Sequence, residues 1–354
     1  MDPILSQWAQ CIRDAASGNP LRLRGGGSKD FYGNPATGEL LDTRDYRGIV
    51  SYEPTELVIT ARCGTPLAEL EATLAAHNQV LAFEPPHFGA ATSATVGGAV
   101  AAGLAGPRRL QAGPLRDFVL GARLLDGRGQ VVDFGGQVMK NVAGYDVSRL
   151  LAGSLGILGV IAEVSLKVLP KPMAETTLAI AASETDALRL VGRWRGQPLP
   201  VAATAWYQGR LQVRLCGASA AVAAASRQLG GDHLDAAESV VFWRRLRDQQ
   251  LPFFSAGEAP LWRLAVPADV AALDLGETLI EWSGGQRWLR GEFAADQLRA
   301  TAAALGGSAT LFRGAGATPA FAPPAPALLQ LHRRLKAQFD PAGIFNPGRL
   351  YPQL

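Results

Sequence analysis

The chain has 354 residues, 48% of them hydrophobic, and 34 basic against 31 acidic residues leave a net charge of only +3. That composition is globular and long enough for two domains, and it excludes sequence-independent capture of nucleic acid, which needs a basic stripe this chain lacks. Glycine is the outlier: of 40 glycines, 22 fall between residues 21 and 160, so one segment requires bare backbone.

In chain order, Ile4, Leu5, Trp8 and Ile12 recur at three-and-four spacing and predict a helix over 4–16. Leu21-Arg22-Leu23 predicts a short strand that runs straight into Arg24-Gly25-Gly26-Gly27-Ser28. Leu57–Ala61 predicts a strand, Thr65-Pro66 the capped start of a helix lasting to Asn78, and Val80–Phe83 the next strand. Thr95-Val96-Gly97-Gly98 opens a small-residue helix to about Leu104. Val119–Leu125 and Val131–Phe134 read as a hairpin about Asp126-Gly127-Arg128-Gly129, residues 148–152 as a helical turn, and Val160–Val168 as a strand with one apolar face. Pro170-Lys171-Pro172 breaks the chain. Beyond it come a strand at 176–181, a helix at 184–194, a hairpin at 202–207 and 211–215, and a helix at 218–229. Strands near 261–266, 279–282 and 287–292 and helices at 294–305 and 328–339 follow. Repeated helices on an antiparallel sheet make an α+β layer.

Cys11, Cys63 and Cys216 are dispersed and His77, His87, His233 and His332 form no close pair, so neither an iron–sulfur cluster nor a zinc site is expected from this chain. The start Met1-Asp2-Pro3-Ile4 lacks a secretory leader pattern and no run of about 18 apolar residues is present, so a cytoplasmic location is expected. The loop Gly25-Gly26-Gly27-Ser28-Lys29 presents successive backbone N–H groups, a nest suited to a pyrophosphate. It is no Rossmann fingerprint, because Asp30 stands where the third glycine would fall. A plain glycine-rich turn remains the alternative. A second cluster, Pro85-Pro86, Gly89, Thr92-Ser93, Thr95, Gly97-Gly98, Gly103 and Gly106, joins close-approach glycines to hydroxyls at a helix start, an anion-friendly arrangement. Two such loops point to a dinucleotide. A third run comprises Lys140-Asn141-Val142-Ala143-Gly144-Tyr145-Asp146 and then Gly153-Ser154-Leu155-Gly156.

Taken in order, these segments resemble the vanillyl-alcohol oxidase type of flavoprotein, with the PCMH-type FAD-binding domain shared by MurB reductases and D-lactate dehydrogenases. The resemblance covers residues 20–172 and resumes at Asp340-Pro341-Ala342-Gly343-Ile344-Phe345-Asn346-Pro347-Gly348-Arg349. More narrowly, the Lys140–Asp146 run with Gly-Ser-Leu-Gly is similar to the FAD-binding subunits of bacterial glycolate oxidases. The resemblance implies an α+β fold: a two-part FAD-binding domain over 1–172, a cap with an antiparallel sheet over 173–326, and a helix and tail over 327–354 returning to the first domain. It also implies that Gly25, Gly26, Gly27, Ser28 and Lys29 hold the FAD pyrophosphate. Pro85, Gly89, Ser93, Thr95, Gly97, Gly98, Gly103 and Gly106 would line the opposite side and the ribityl chain, and Val160 and Ile161 would touch the adenine or the ring system. Arg24 serves either that site or a salt bridge holding the loop. Ser28 stands where some members carry a tethering histidine, which implies noncovalent FAD.

Two departures matter. The cap lacks the histidine and glutamate metal site of the catalytic hydroxy-acid dehydrogenases, and Leu155 replaces a frequent glutamate. The chemistry needs a base and a cation for the substrate carboxylate, and no residue here is assigned to either. Lys140, Tyr145 and Asp146 are explained as well by capping and buried hydrogen bonds. The implied function is therefore an FAD subunit of a glycolate oxidase complex, with a second flavin subunit, an iron–sulfur subunit and a small 2-hydroxy acid as partners. Its place is the cytoplasm or, through those partners, the inner face of the membrane. A self-sufficient flavin oxidoreductase and a noncatalytic scaffold are the alternatives. With 29 Arg to 5 Lys, carboxylate-binding forks are plentiful, although a solvated face accounts for many. Six of seven tryptophans follow residue 173 and serve either the cap core or a contact with flavin or partner.

Overall fold

The computed structural model describes residues 2–90, 93–136, 146–314 and 316–354. Helix α1 (Pro3–Ala15) starts where the Asp2 carboxylate accepts the Ile4 amide at 2.9 Å, and it buries Leu5, Trp8, Ala9, Ile12 and Ala15 along one stripe. Strands β1 (Leu21–Arg24) and β2 (Glu39–Asp42) pair in parallel. There follow β3 (Ile49–Glu53), β4 (Val58–Arg62), α2 (Leu67–Ala75), β5 (Gln79–Val80), α3 (Val96–Ala102), α4 (Arg109–Ala112), β6 (Val119–Leu125), β7 (Val131–Gly135) and β8 (Val160–Lys167). A five-stranded antiparallel sheet in the order β3-β4-β8-β6-β7 carries α2 and α3 over a core containing Leu70, Leu74, Val100 and Val164.

Strand β9 (Leu169–Pro170) pairs back with β5, and the chain then enters a second sheet. Its elements are β10 (Ala174–Ala181), α5 (Glu184–Trp194), β11 (Val201–Tyr207), β12 (Arg210–Gly217), α6 (Ser219–Leu229), β13 (Asp232–His233), α7 (Ala236–Arg247), α8 (Pro252–Ser255), β14 (Leu261–Ala265), β15 (Thr278–Glu281), β16 (Gln286–Arg290), α9 (Ala295–Ala304) and β17 (Ser308–Arg313). The eight strands are ordered β13-β10-β12-β11-β15-β16-β14-β17, every pair antiparallel. The expected α+β fold with an antiparallel cap is what the chain adopts. Helix α10 (Pro326–Phe339) and the tail then return to the first lobe, where Ile344 accepts the Leu21 amide at 2.8 Å.

Several local expectations need correction. Thr65 does not cap α2; its hydroxyl oxygen accepts the Gly48 amide at 2.9 Å, and the helix begins at Leu67 behind Pro66 with no side-chain cap. The strand expected at 80–83 ends at Val80, because the chain turns at Leu81–Glu84 ahead of Pro85-Pro86 and Glu84 takes a left-handed φ of 48°. Strand β8 is buried on both faces rather than one. Its polar positions are accommodated by bonding: the Tyr46 hydroxyl donates to Glu163 at 2.7 Å, and Ser165 bonds Thr60 at 2.8 Å. Trp243, Trp262, Trp282 and Trp288 are buried within the cap and at its junction with the first lobe, and Trp194 and Trp206 are half-buried against a separate cap cluster that includes Leu178 and Val213, so these six serve the core.

Candidate functional site

The loop after β1 forms one wall of a groove. Two adjoining cavities, about 70 and 80 Å³, share Arg24, Gly25, Gly98, Leu155 and Asn346; Gly26, Gly27, Ser28 and Lys29 line one of them, Val160 and Ile161 the other. Among the described residues, none of the amides of Gly25–Lys29 has a hydrogen-bond acceptor. Five consecutive amides with no acceptor among the described residues are suited to cradle an anion. A side chain at Gly25 would meet the Thr95 hydroxyl and one at Gly26 the Ser93 carbonyl, so the two glycine-rich segments touch here. Gly27 has φ +75° and lies against the Arg24 guanidinium, which forms a 2.6 Å salt bridge with Asp30. Arg24 therefore braces the loop, and Asp30, the residue that breaks the Rossmann pattern, is its partner. Lys29 carries its ammonium into this wall, 3.3 Å from the Ser28 hydroxyl and 5.5 Å from the Phe88 ring centre. Burial lowers its pKa to about 8, with Asp248 opposing and Arg247 reinforcing the shift.

The second glycine-rich segment divides by position. Gly98 faces the groove, and its amide donates to the Thr95 hydroxyl at 3.4 Å. The amides of Val96 and Gly97 donate to the Thr65 and Cys63 carbonyls at 2.9 and 2.8 Å, so the start of α3 is no open anion hole. Gly97 packs on Cys63, Gly103 ends α3 in a left-handed turn against Gly153, and Gly106 lies against the Glu84 backbone. These three are glycines because backbone passes close by. Pro85 is buried, Gly89 is exposed beside Ser93, and the Ser93 hydroxyl donates to the Ala90 carbonyl at 2.7 Å. Thr92 and the run Lys140–Tyr145 lie outside the described residues.

The groove is closed from below by the tail. Asn346 accepts the Leu23 amide at 2.9 Å and donates to the Leu155 carbonyl at 2.7 Å, joining the loop strand to the Gly153–Gly156 turn. Arg349 donates to the carbonyls of Asn34, Lys29 and Asp30 and fixes the outer end of the loop. Both positions belong to the tail motif, yet their work depends on contacts 191 to 323 residues away in sequence, which spacing alone cannot reveal. Sequence reasoning also missed Arg109 and Arg263, which face a larger cavity where the lobes meet. Nearby, Glu281 is fully buried and accepts from Trp288 at 2.7 Å and Gln286 at 3.0 Å; burial raises its pKa to about 7.

Comparison with known proteins fits this geometry. The family model described as an FAD binding domain matches residues 6–135, and that of the FAD linked oxidases, C-terminal domain, matches residues 285–350. The glycolate oxidase subunit GlcE of Escherichia coli (strain K12) is 48% identical over 352 residues, spanning 99% of this chain and 97% of the relative. The chain belongs to the GlcE family of FAD-linked oxidases. It is an oxidoreductase, and its cofactor is FAD. The glycolate oxidase subunit GlcD of Bacillus subtilis (strain 168) is 32% identical over 170 residues, covering 48% of this chain and 36% of that one. An alkyldihydroxyacetonephosphate synthase structure superposes with a TM-score of 0.66 over 96% of this chain and 74% of the other, at 14% identity, and it shares the fold. The groove suits this family's cofactor: five open amides and a lysine without an ion pair fit a pyrophosphate, and the missing Cβ atoms at Gly25–Gly27 give backbone access.

Proposed function

We propose that the chain is the FAD-binding subunit of a glycolate oxidase complex, which converts glycolate to glyoxylate and delivers the electrons to partner subunits. The observation that carries this reading is the 48% identity to a glycolate oxidase subunit across almost the whole of both chains. A second flavin subunit and an iron–sulfur subunit complete the complex, and the assembly works in the cytoplasm or on the inner face of the cytoplasmic membrane. Among the described residues no helix is long and apolar enough to cross a membrane.

In this reading Gly25, Gly26, Gly27, Ser28 and Lys29 hold the pyrophosphate through their open amides and the Lys29 charge. Thr95 and Gly98 form the facing wall, with Pro85, Gly89, Ser93, Gly97, Gly103 and Gly106 shaping the segment behind them. Val160 and Ile161 line the far end. Bound FAD supplies the two-electron acceptor for the alcohol carbon, while the protein sets orientation and excludes water. Ser28 offers no nitrogen for a covalent tether, so the flavin is held by contacts alone.

Acid precipitation of the complex should leave a yellow supernatant. Gly27→Asp and Gly98→Asp, each placing a carboxylate in the groove, should strip flavin and turnover from the complex. A complex that keeps full flavin and turnover through both substitutions overturns the reading and leaves a scaffold subunit.

A further inference from the structure

The junction of the two lobes holds a cavity of about 390 Å³. Arg109 of α4 and Arg116 reach it from the first lobe, and Arg263 of β14 from the second, while no Asp or Glu lines it. None of the three forms an ion pair, and every Asp and Glu of the chain lies among the described residues. Other arginines withdrawn from water have acceptors: Arg214 has Glu84 and Glu175, Arg247 has Asp248, and Arg287 and Arg349 have backbone carbonyls. The heads of Arg109 and Arg263 are instead held by rings. Arg109 lies 4.6 Å from the centre of Trp282, and Arg263 lies 5.8 and 5.5 Å from Tyr32 and Phe312, with one donor on the Tyr32 hydroxyl at 3.3 Å. Aromatic faces fix a guanidinium without consuming most of its N–H groups. Burial and the like charges of Arg263 and Arg116 lower the Arg109 pKa, and Asp117, which does not line the cavity, opposes the shift without reversing it.

We infer that this cavity binds a small organic carboxylate, held by the forks of Arg109 and Arg263 with Arg116 at the mouth. Ala102, which lines this cavity, also lines the cavity against the Gly25–Lys29 loop, so the acid sits beside the cofactor groove. The assignment names the carboxylate-recognition site for the proposed glycolate oxidation and in that respect rests on that reading. It also explains why the cap is needed: one of the three charges, Arg263, and the Trp282 face that orients Arg109 come from the second lobe.

The test is calorimetric titration of the full chain, purified with its flavin, with oxalate, which has carboxylates but no C–H bond to oxidise; inorganic phosphate is the control. Oxalate should bind saturably at one site and more tightly than phosphate. Arg109→Met and Arg263→Met should each weaken it about tenfold, the scale of losing charge-assisted hydrogen bonds, while melting temperature and flavin content hold. Should either variant fail to fold, protection of Arg109 and Arg263 from phenylglyoxal by oxalate in the wild-type chain replaces that arm. No oxalate binding, equal binding by phosphate, undiminished binding by the folded variants, or no protection overturns the inference. A chain that never retains flavin but binds oxalate sinks the glycolate oxidase reading alone; a flavin-loaded chain blind to oxalate sinks this one alone.

Discussion

Lys29 shows what a single buried charge does to the empty and filled groove. Its folded pKa of about 8 lies below the value of 10.5 expected for a free lysine. Between those values the unfolded chain binds more protons, so stability rises with pH across that window. Below pH 8 the full cost of the buried ammonium is present, and above 10.5 it is gone. Urea unfolding of the flavin-free chain should show this rise from about pH 8 to 10.5, and Lys29→Met should remove it; parallel slopes would mean that Lys29 is not withdrawn from water. The glycines behave differently. Their concentration in one segment and the Gly25–Gly27 loop were legible in the sequence, because an absent Cβ is a property of the residue itself. Which of them face a ligand was not. Gly97, Gly103 and Gly106 meet protein backbone whereas Gly98 lines the groove beside the Thr95 hydroxyl, a distinction that the glycines' spacing does not carry.

At the scale of the element, the C-terminal helix and tail form a clamp. Asp340 accepts the amides of Ile344 and Phe345 at 3.1 and 2.8 Å, and the Lys336 ammonium at 2.7 Å; that ammonium also donates to the Ile157 and Phe345 carbonyls. Both side chains are buried. Asp340→Ala should cost about 3–5 kcal/mol, since it strands a buried cation and two amides. Lys336→Met should cost less, because the two amides still satisfy Asp340; denaturant melts that rank the two in the opposite order refute this account. The elements legible beforehand were those with a local code: α1 with its apolar stripe, and the β6–β7 hairpin whose turn is held by Asp126 accepting the Arg128 and Gln130 amides. Strands β2, β3 and β17 and helix α7 were not anticipated. Helix α7 leaves Val240 and Val241 exposed and ends in three arginines, so its hydrophobic pattern does not announce the face it buries. The strands are short and complete sheets whose neighbours come from elsewhere in the chain.

Across the whole molecule, the lobes are joined by bonds between residues far apart in sequence. Glu84 of the first lobe accepts from Arg214 of the cap at 2.5 Å, Asp248 accepts the His87 amide at 2.9 Å, and Trp282 donates to the Gly106 carbonyl at 3.0 Å. Arg214 also binds Glu175 at 2.9 Å. Burial raises the Glu175 pKa, but Arg214 outweighs it and the net shift is downward. Arg214→Leu should leave two carboxylates facing each other without a cation, cost about 3–5 kcal/mol, and split thermal unfolding into two transitions, with early proteolysis beside the exposed Met173. A single transition at an unchanged temperature would show that the lobes do not depend on this pair. The tail bears on assembly in time as well as space. Because Asn346 and Arg349 complete the groove begun by residues 23–34, synthesis of the first lobe alone leaves that groove unfinished. On the proposed reading of the groove as the cofactor site, a chain that stops short of residue 349 should retain less flavin than the full chain, which flavin absorbance of the two products checks.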